Sequence, residues 1–234
     1  VVEGGAADAV AAMRVLGLGG LAVTMPHKVG VAAAVDEIDE AARALQSVNT
    51  VVLRPDGSTF GASTDGQGFV DWVAHRGFEL AGARVVVLGA GAAGRSIVDA
   101  LGRSGTADIA IVNRSPAGAE AAAELAPMAR VGSVDDVAAG GLLVNATSVG
   151  MGTDDCPLDP ALLRDTHTGA DIVDHPLETA LLRAARTVGA ATIDGLGMLV
   201  HQAVLQQELW TGQRPAPAVL RAAAEAELAA RSGD

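Results

Sequence analysis

Apolar positions early in the chain recur at helical spacing only in short bursts. Residues 6–16 place them on one helical face, Gly17, Gly19 and Gly20 break the pattern, and Leu21-Ala22-Val23-Thr24 reads as a strand. Pro26 in Met25-Pro26-His27-Lys28 stops that strand, and a new helical pattern begins near Val29. Lys28 therefore falls at a strand end beside a helix start. Residues 47–53 and 58–62 read as two strands around Arg54-Pro55-Asp56-Gly57, where Pro in second place and Gly in fourth suit a tight reversal. Thr64-Asp65-Gly66 then opens a helix over about 67–75, with Thr64 or Asp65 able to cap its free N–H groups.

From Arg84 the pattern changes to strand and helix in regular alternation. Strands are predicted at 85–88, 109–112, 142–145 and 171–173, and helices at 96–101 and 117–125, the order of a doubly wound parallel sheet. Gly195-Leu196-Gly197 precedes a helical stretch over 198–210, on which Leu199, Ala203 and Gln206 read as one ordinary helix face, and a last helix is predicted over about 218–230.

Composition sharpens this picture. The chain has 234 residues, half of them apolar, with only two Trp, three Phe and no Tyr. A core of Ala, Val, Leu and Ile suits helices laid on a sheet, so an α/β architecture is expected. Sixteen basic against 28 acidic residues leave a net charge of −12, which disfavours nucleic acid and anionic membrane as partners. An anionic ligand must then be held by a few local positive groups. Cys156, the lone cysteine, can form neither an internal disulfide nor a Cys-pair metal site, and a cytoplasmic location is expected. His27, His75, His167, His175 and His201 lack metal-ligand spacing, so no metal is expected. No apolar run is long enough to span a membrane, and no basic-then-apolar leader opens the chain.

Chemistry concentrates at two places. Val85-Val86-Val87-Leu88 runs into Gly89-Ala90-Gly91-Ala92-Ala93-Gly94 and then a helix, the context in which a G-x-G-x-x-G turn binds a dinucleotide. Gly89 permits the sharp turn, Gly91 lets backbone approach the pyrophosphate, Gly94 lets the helix pack closely, and the helix N-terminus faces the anion. The second strand ends in Asn113-Arg114-Ser115 and lacks the acidic residue that an NAD domain places about 20 positions on; a guanidinium there suits a 2′-phosphate, so NADP is the expected cofactor. Lys28 and Asp65 are the second place. Such a pair can hold a substrate hydroxyl and move a proton, or serve as solvated residues at helix ends.

Several segments, in order, resemble the shikimate dehydrogenase family, including its quinate/shikimate members. They are Val23-Thr24-Met25-Pro26-His27-Lys28, Val48-Asn49-Thr50, Ser63-Thr64-Asp65-Gly66, the Gly89 loop, Asn113-Arg114-Ser115, Asn145 through Met151, and Asp194 through Ala203. The resemblance implies reversible reduction of 3-dehydroshikimate to shikimate with NADPH, on the route to aromatic amino acids, with a small anionic substrate. It implies a smaller α/β substrate domain over 1–66, a Rossmann-type NADP-binding domain over 67–195, and C-terminal helices over 196–234 that fold back onto the substrate domain. Carried over by position, Lys28 and Asp65 are catalytic. Thr24, Asn49 and Gln202 hold substrate. Glu40, Thr147, Ser148, Ile172 and Gly195 join the Gly89–Gly94 turn and Asn113-Arg114-Ser115 at the cofactor. A monomer or homodimer is expected.

Departures from the family pattern carry their own expectations. Family members begin with a further segment containing two strands and a Ser-x-Ser motif for the substrate carboxylate. This chain, which opens on Val1, reads as truncated, with a substrate domain lacking its first strands. Ala22 and Ser63 replace usual polar residues, Gly118 stands where a second basic residue often contacts the 2′-phosphate, and Asp174 stands where a Tyr contacts substrate. A carboxylate there implies altered substrate choice or weak turnover. The alternatives are thus an NADP-binding paralogue without turnover, or a quinate/shikimate enzyme using NAD.

Overall fold

The computed structural model describes residues 1–2 and 4–232, with side chains through residue 230; Glu3 and positions 233–234, within the 1–66 and 196–234 segments, lie outside them. The first part of the chain builds a four-stranded sheet from β1 (Gly20–Ala22), β2 (Glu37–Ile38), β3 (Thr50–Leu53) and β4 (Thr59–Ala62), in the order β1-β3-β4-β2. The β3–β4 reversal is the predicted one: the Gly57 N–H donates to the Arg54 carbonyl at 2.9 Å, and Gly57 takes φ +84°, which a side chain would resist. Helices α1 (Ala6–Leu16), α2 (Lys28–Ala32) and α3 (Glu40–Leu45) bring Val10, Met13, Val31 and Ala42 into one cluster with Val48 and Val51.

Helix α4 (Asp65–His75) leads into a six-stranded, wholly parallel sheet. Its strands are β5 (Arg84–Leu88), β6 (Asp108–Val112), β7 (Ala129–Val131), β8 (Leu142–Asn145), β9 (Thr168–Asp171) and β10 (Ala191–Ile193), in the order β10-β9-β8-β5-β6-β7. Alternate residues divide between two cores, as the pleat requires. Val85, Val87, Ile109, Ile111, Leu142 and Val144 join residues of α4, α5 (Ala92–Arg103) and α6 (Pro116–Ala123). Val86, Leu88, Ala110 and Leu143 face the other way, toward Val137, Leu163 and α7 (Ala180–Thr187). Burying each such Val, Leu or Ile contributes about 1.5–3 kcal/mol, so this double covering is what fixes the sheet.

Helix α8 (Gly195–Thr211) ties the two sheets together. It starts just beyond β10, where the Asp194 carboxylate accepts from the Gly197 N–H at 3.2 Å and the Trp72 indole donates to the Asp194 carbonyl at 2.9 Å. A Cβ at Gly197 would overlap the Trp72 ring, so only glycine lets α8 approach α4 this closely. At its far end Gln206 donates to the Asn49 carbonyl at 3.2 Å and Trp210 to the Val51 carbonyl at 2.9 Å. Helix α9 (Pro217–Ser232) returns, and Arg221 grips the Asp194 carboxylate with two nitrogens at 3.0 and 3.1 Å. No helix among the described residues is long and apolar enough to cross a membrane.

Three expectations need correction. The strand placed at 171–173 lies at Thr168–Asp171, because β8 sets its register, pairing Leu142 with Thr168 and Asn145 with Asp171. The strand expected over 21–24 ends at Ala22. Neither Thr64 nor Asp65 caps α4 with its side chain, since both are committed to another network.

Candidate active site

Lys28 opens α2 and Asp65 opens α4, and the fold brings them together. The Lys28 Nζ donates to one Asp65 carboxylate oxygen at 2.6 Å, with 19% of each side chain exposed. Two backbone bonds set this meeting. The Val23 N–H donates to the Asn49 carbonyl at 2.7 Å, and the Val48 N–H to the Lys28 carbonyl at 3.1 Å, so the segment after β1 is stitched to the segment before β3.

Asn49 sits behind the pair, 2% exposed. Its Nδ2 donates to the second Asp65 oxygen at 2.7 Å and to the Thr64 hydroxyl at 2.9 Å, while its Oδ1 accepts from the Thr64 N–H at 2.9 Å and the Thr50 hydroxyl at 2.8 Å. A side-chain amide has two N–H donors and both are in use. Asn49 thus holds Asp65 in position, and it also lines the same cleft as the pair.

Lys28, Asp65, Thr24 and Gln202 line a cleft of about 530 Å³. Ile172, Gly195 and Ala93 line it too, so the expected cofactor side and substrate side share one opening. Met198, Leu199 and Gln206 complete the α8 wall, so the helix face predicted to carry Leu199 and Gln206 borders the cleft. Positions 195, 198, 199, 202 and 206 share one side of a helix, a periodicity that could have revealed the whole wall. Asp174 also faces the cleft. Glu40 stands apart, lining a separate 420 Å³ hollow with Asp39, Arg103 and Leu205.

The glycine turn fits a dinucleotide. Gly89 takes φ +102°, and a Cβ at Gly94 would overlap the Gly89 carbonyl, so both glycines are structural necessities of the turn. Gly91 caps α5 without any side-chain bond, and a Cβ there would meet open space, which leaves the backbone free for close approach by phosphate. Asn113 shapes this turn: its Oδ1 accepts from the Ala90 N–H at 3.1 Å and its Nδ2 donates to the Ser115 carbonyl at 2.9 Å. Asn113 thus holds the loop, while the exposed Arg114 guanidinium has no hydrogen bond or ion pair to any described residue and is free for a 2′-phosphate. A Cβ at Gly118 would come within 2.7 Å of the Asn113 Nδ2, so a larger residue there would disturb that loop. The Thr147 hydroxyl is engaged, donating to the Asn145 Oδ1 at 2.6 Å and accepting from the Val149 N–H at 3.1 Å; its methyl packs toward Gly89. Ser148 and Ser115 are exposed.

Two buried titratable groups lie near the cleft without lining it. Burial pushes the Asp171 carboxyl up, against the opposing pull of bonds from Val173, Thr179 and Asn145. Burial pushes His201 down, against its bond to the Gly197 carbonyl, and its ring packs against both Trp72 and His75, which also touch each other.

Comparison with known proteins places this arrangement. Three family profiles match in order: the shikimate dehydrogenase substrate binding domain over residues 1–51, shikimate / quinate 5-dehydrogenase over 72–139, and the shikimate 5′-dehydrogenase C-terminal domain over 195–225. The chain is 43% identical to shikimate dehydrogenase (NADP(+)) of Symbiobacterium thermophilum, over 94% of this chain and 80% of that one. Among solved structures it resembles shikimate 5-dehydrogenase of Thermus thermophilus in complex with NADP(H) and shikimate, at 33% identity and TM-score 0.89, covering 96% and 85% of the two chains. It also resembles the ligand-free 5-ketofructose reductase of Gluconobacter sp. strain CHM43, at 35% identity and TM-score 0.86, covering 94% and 83%. This chain belongs to the shikimate dehydrogenase family.

Proposed function

We propose that the chain interconverts 3-dehydroshikimate and shikimate with NADP, a step toward aromatic amino acids, using Lys28 as the proton-transfer group and Asp65 as its partner. The observation that carries this reading is the 2.6 Å Lys28–Asp65 contact inside a cleft that also reaches the glycine turn through Ala93. NADP, when bound, supplies or accepts hydride. In reduction, charge grows on the carbonyl oxygen as it becomes alkoxide, and the Lys28 Nζ stabilises that charge and delivers the proton. Asp65 keeps the Lys28 ammonium aimed into the cleft, and the Asn49 amide fixes Asp65. Lys28 then regains a proton from solvent, and the reverse sequence serves oxidation.

Thr24 and Gln202 contribute polar groups to the substrate side, and the Gly91 backbone, the α5 N-terminus and Arg114 hold the cofactor phosphates. Every group named comes from one chain, so a monomer suffices for the chemistry. Use of NADP, a cofactor reduced inside cells, supports a cytoplasmic location. The test is NADPH formation from shikimate and NADP by Lys28→Met against the parent chain. A kcat lower by roughly 10²–10⁴-fold with NADPH binding retained is expected; a variant as fast as the parent would refute the role of Lys28.

A further inference from the structure

The charges of the cleft carry a conclusion about its substrates. Three ionisable side chains line it among the described residues: Lys28, Asp65 and Asp174. Lys28 and Asp65 neutralise one another at 2.6 Å. Asp174 is half-buried and has no hydrogen bond or ion pair to any described residue. No arginine and no second lysine lines the cleft among those residues. The remainder of the wall is apolar, as at Val23, Ile172 and Met198, or neutral and polar, as at Thr24 and Gln202.

A partly desolvated carboxylate without a donor is costly, and that cost is relieved when a donor arrives. A substrate hydroxyl supplies one, whereas a substrate carboxylate brings a second negative charge into the same opening. We infer that this cleft also takes uncharged, polyhydroxylated secondary alcohols and the matching ketones, with Asp174 accepting a substrate hydroxyl and setting the preference between uncharged and acidic substrates. The inference rests on the catalytic reading above. In oxidation the carbinol carbon gives hydride to NADP⁺ and the hydroxyl proton leaves through the Lys28 pair to water, yielding ketone, NADPH and one released proton.

Shikimate and its methyl ester differ by one charge at nearly constant shape, so their kcat/KM ratio with NADP reads this discrimination directly. Two like charges about 6 Å apart at an effective dielectric near 40 disfavour the acid by roughly tenfold. The ester-to-acid ratio is therefore expected to fall about tenfold in Asp174→Asn and in Asp174→Ser. Raising ionic strength from about 10 to 150 mM should improve the parent chain on the acid and leave the ester unchanged, a check that needs no variant. A ratio that stays within twofold in both variants, or a salt response equal for both compounds, overturns the inference while leaving shikimate turnover standing. Turnover of neither compound by parent chain that binds NADPH overturns the catalytic reading as well.

Discussion

Truncating Asn49 to Ala tests whether this side chain serves the protein or the substrate. The change removes the acceptor for the Thr64 N–H and the Thr50 hydroxyl, which are bonded at 2.9 and 2.8 Å, and the donor to Asp65 at 2.7 Å. Thr64 and Thr50 are 4% and 0% exposed, so water does not readily replace the lost partner. A buried group left unsatisfied costs about 1–3 kcal/mol; the Thr50 hydroxyl can rotate toward another acceptor, whereas the Thr64 N–H cannot. The expected loss of stability is therefore about 2–4 kcal/mol, read as a lower urea midpoint by far-UV circular dichroism. Asp65, freed on one side, should let Lys28 drift, and kcat should fall about 10- to 100-fold with KM for shikimate changed less. If KM rises more than tenfold at unchanged kcat, and stability shifts by less than about 0.5 kcal/mol, the amide is a substrate ligand and the positioning argument is wrong.

Two further outcomes are expected. Arg114→Ala should weaken NADPH binding by roughly 10- to 100-fold and leave NADH binding unchanged, since a charged hydrogen bond to the 2′-phosphate is lost only with the former; equal losses in a fluorescence titration would remove Arg114 from the 2′-phosphate site. His201, which burial holds below its ordinary value of 6.5, should make the fold lose stability as pH falls from 6.5, because the unfolded chain takes up the proton first. The loss approaches about 1.4 kcal/mol per pH unit while only the unfolded form is protonated, and His201→Gln should flatten that slope in denaturation curves taken between about pH 5 and 7.

The parts legible in the sequence were those with a strong local cause. The β5–turn–α5 unit announces itself because four apolar residues meet a glycine pattern that only one backbone path satisfies, and the Arg54–Gly57 reversal because Pro and Gly each fix a torsion. The short strands β7 and β10 did not announce themselves. Each has three residues and is held mainly by its pairing with a parallel neighbour. β9 contains Thr168-Gly169-Ala170-Asp171, a poor strand sequence in isolation that β8 and β10 align from both sides. At the site, residue types were readable and their bonding was not. Asn49, Asn113 and Thr147 were readable as candidate ligand contacts, whereas their bonds to Asp65, Ala90 and Asn145 were not. Such commitments depend on which backbone groups the fold leaves unpaired, and no local pattern records that.

The two bonds from α8 to the four-stranded sheet join residues 157 and 159 positions apart. A ribosome adding about 5–20 residues per second exposes Asn49 and Val51 roughly 8–30 s before it makes Gln206 and Trp210. Throughout that interval Gly20, over which the Trp210 ring will lie, has no indole above it. The nascent small sheet must therefore wait, one face unfinished, for a helix whose contact residue lies 157 positions further on. The order of synthesis makes the four-stranded sheet emerge well before the helix that covers its open face.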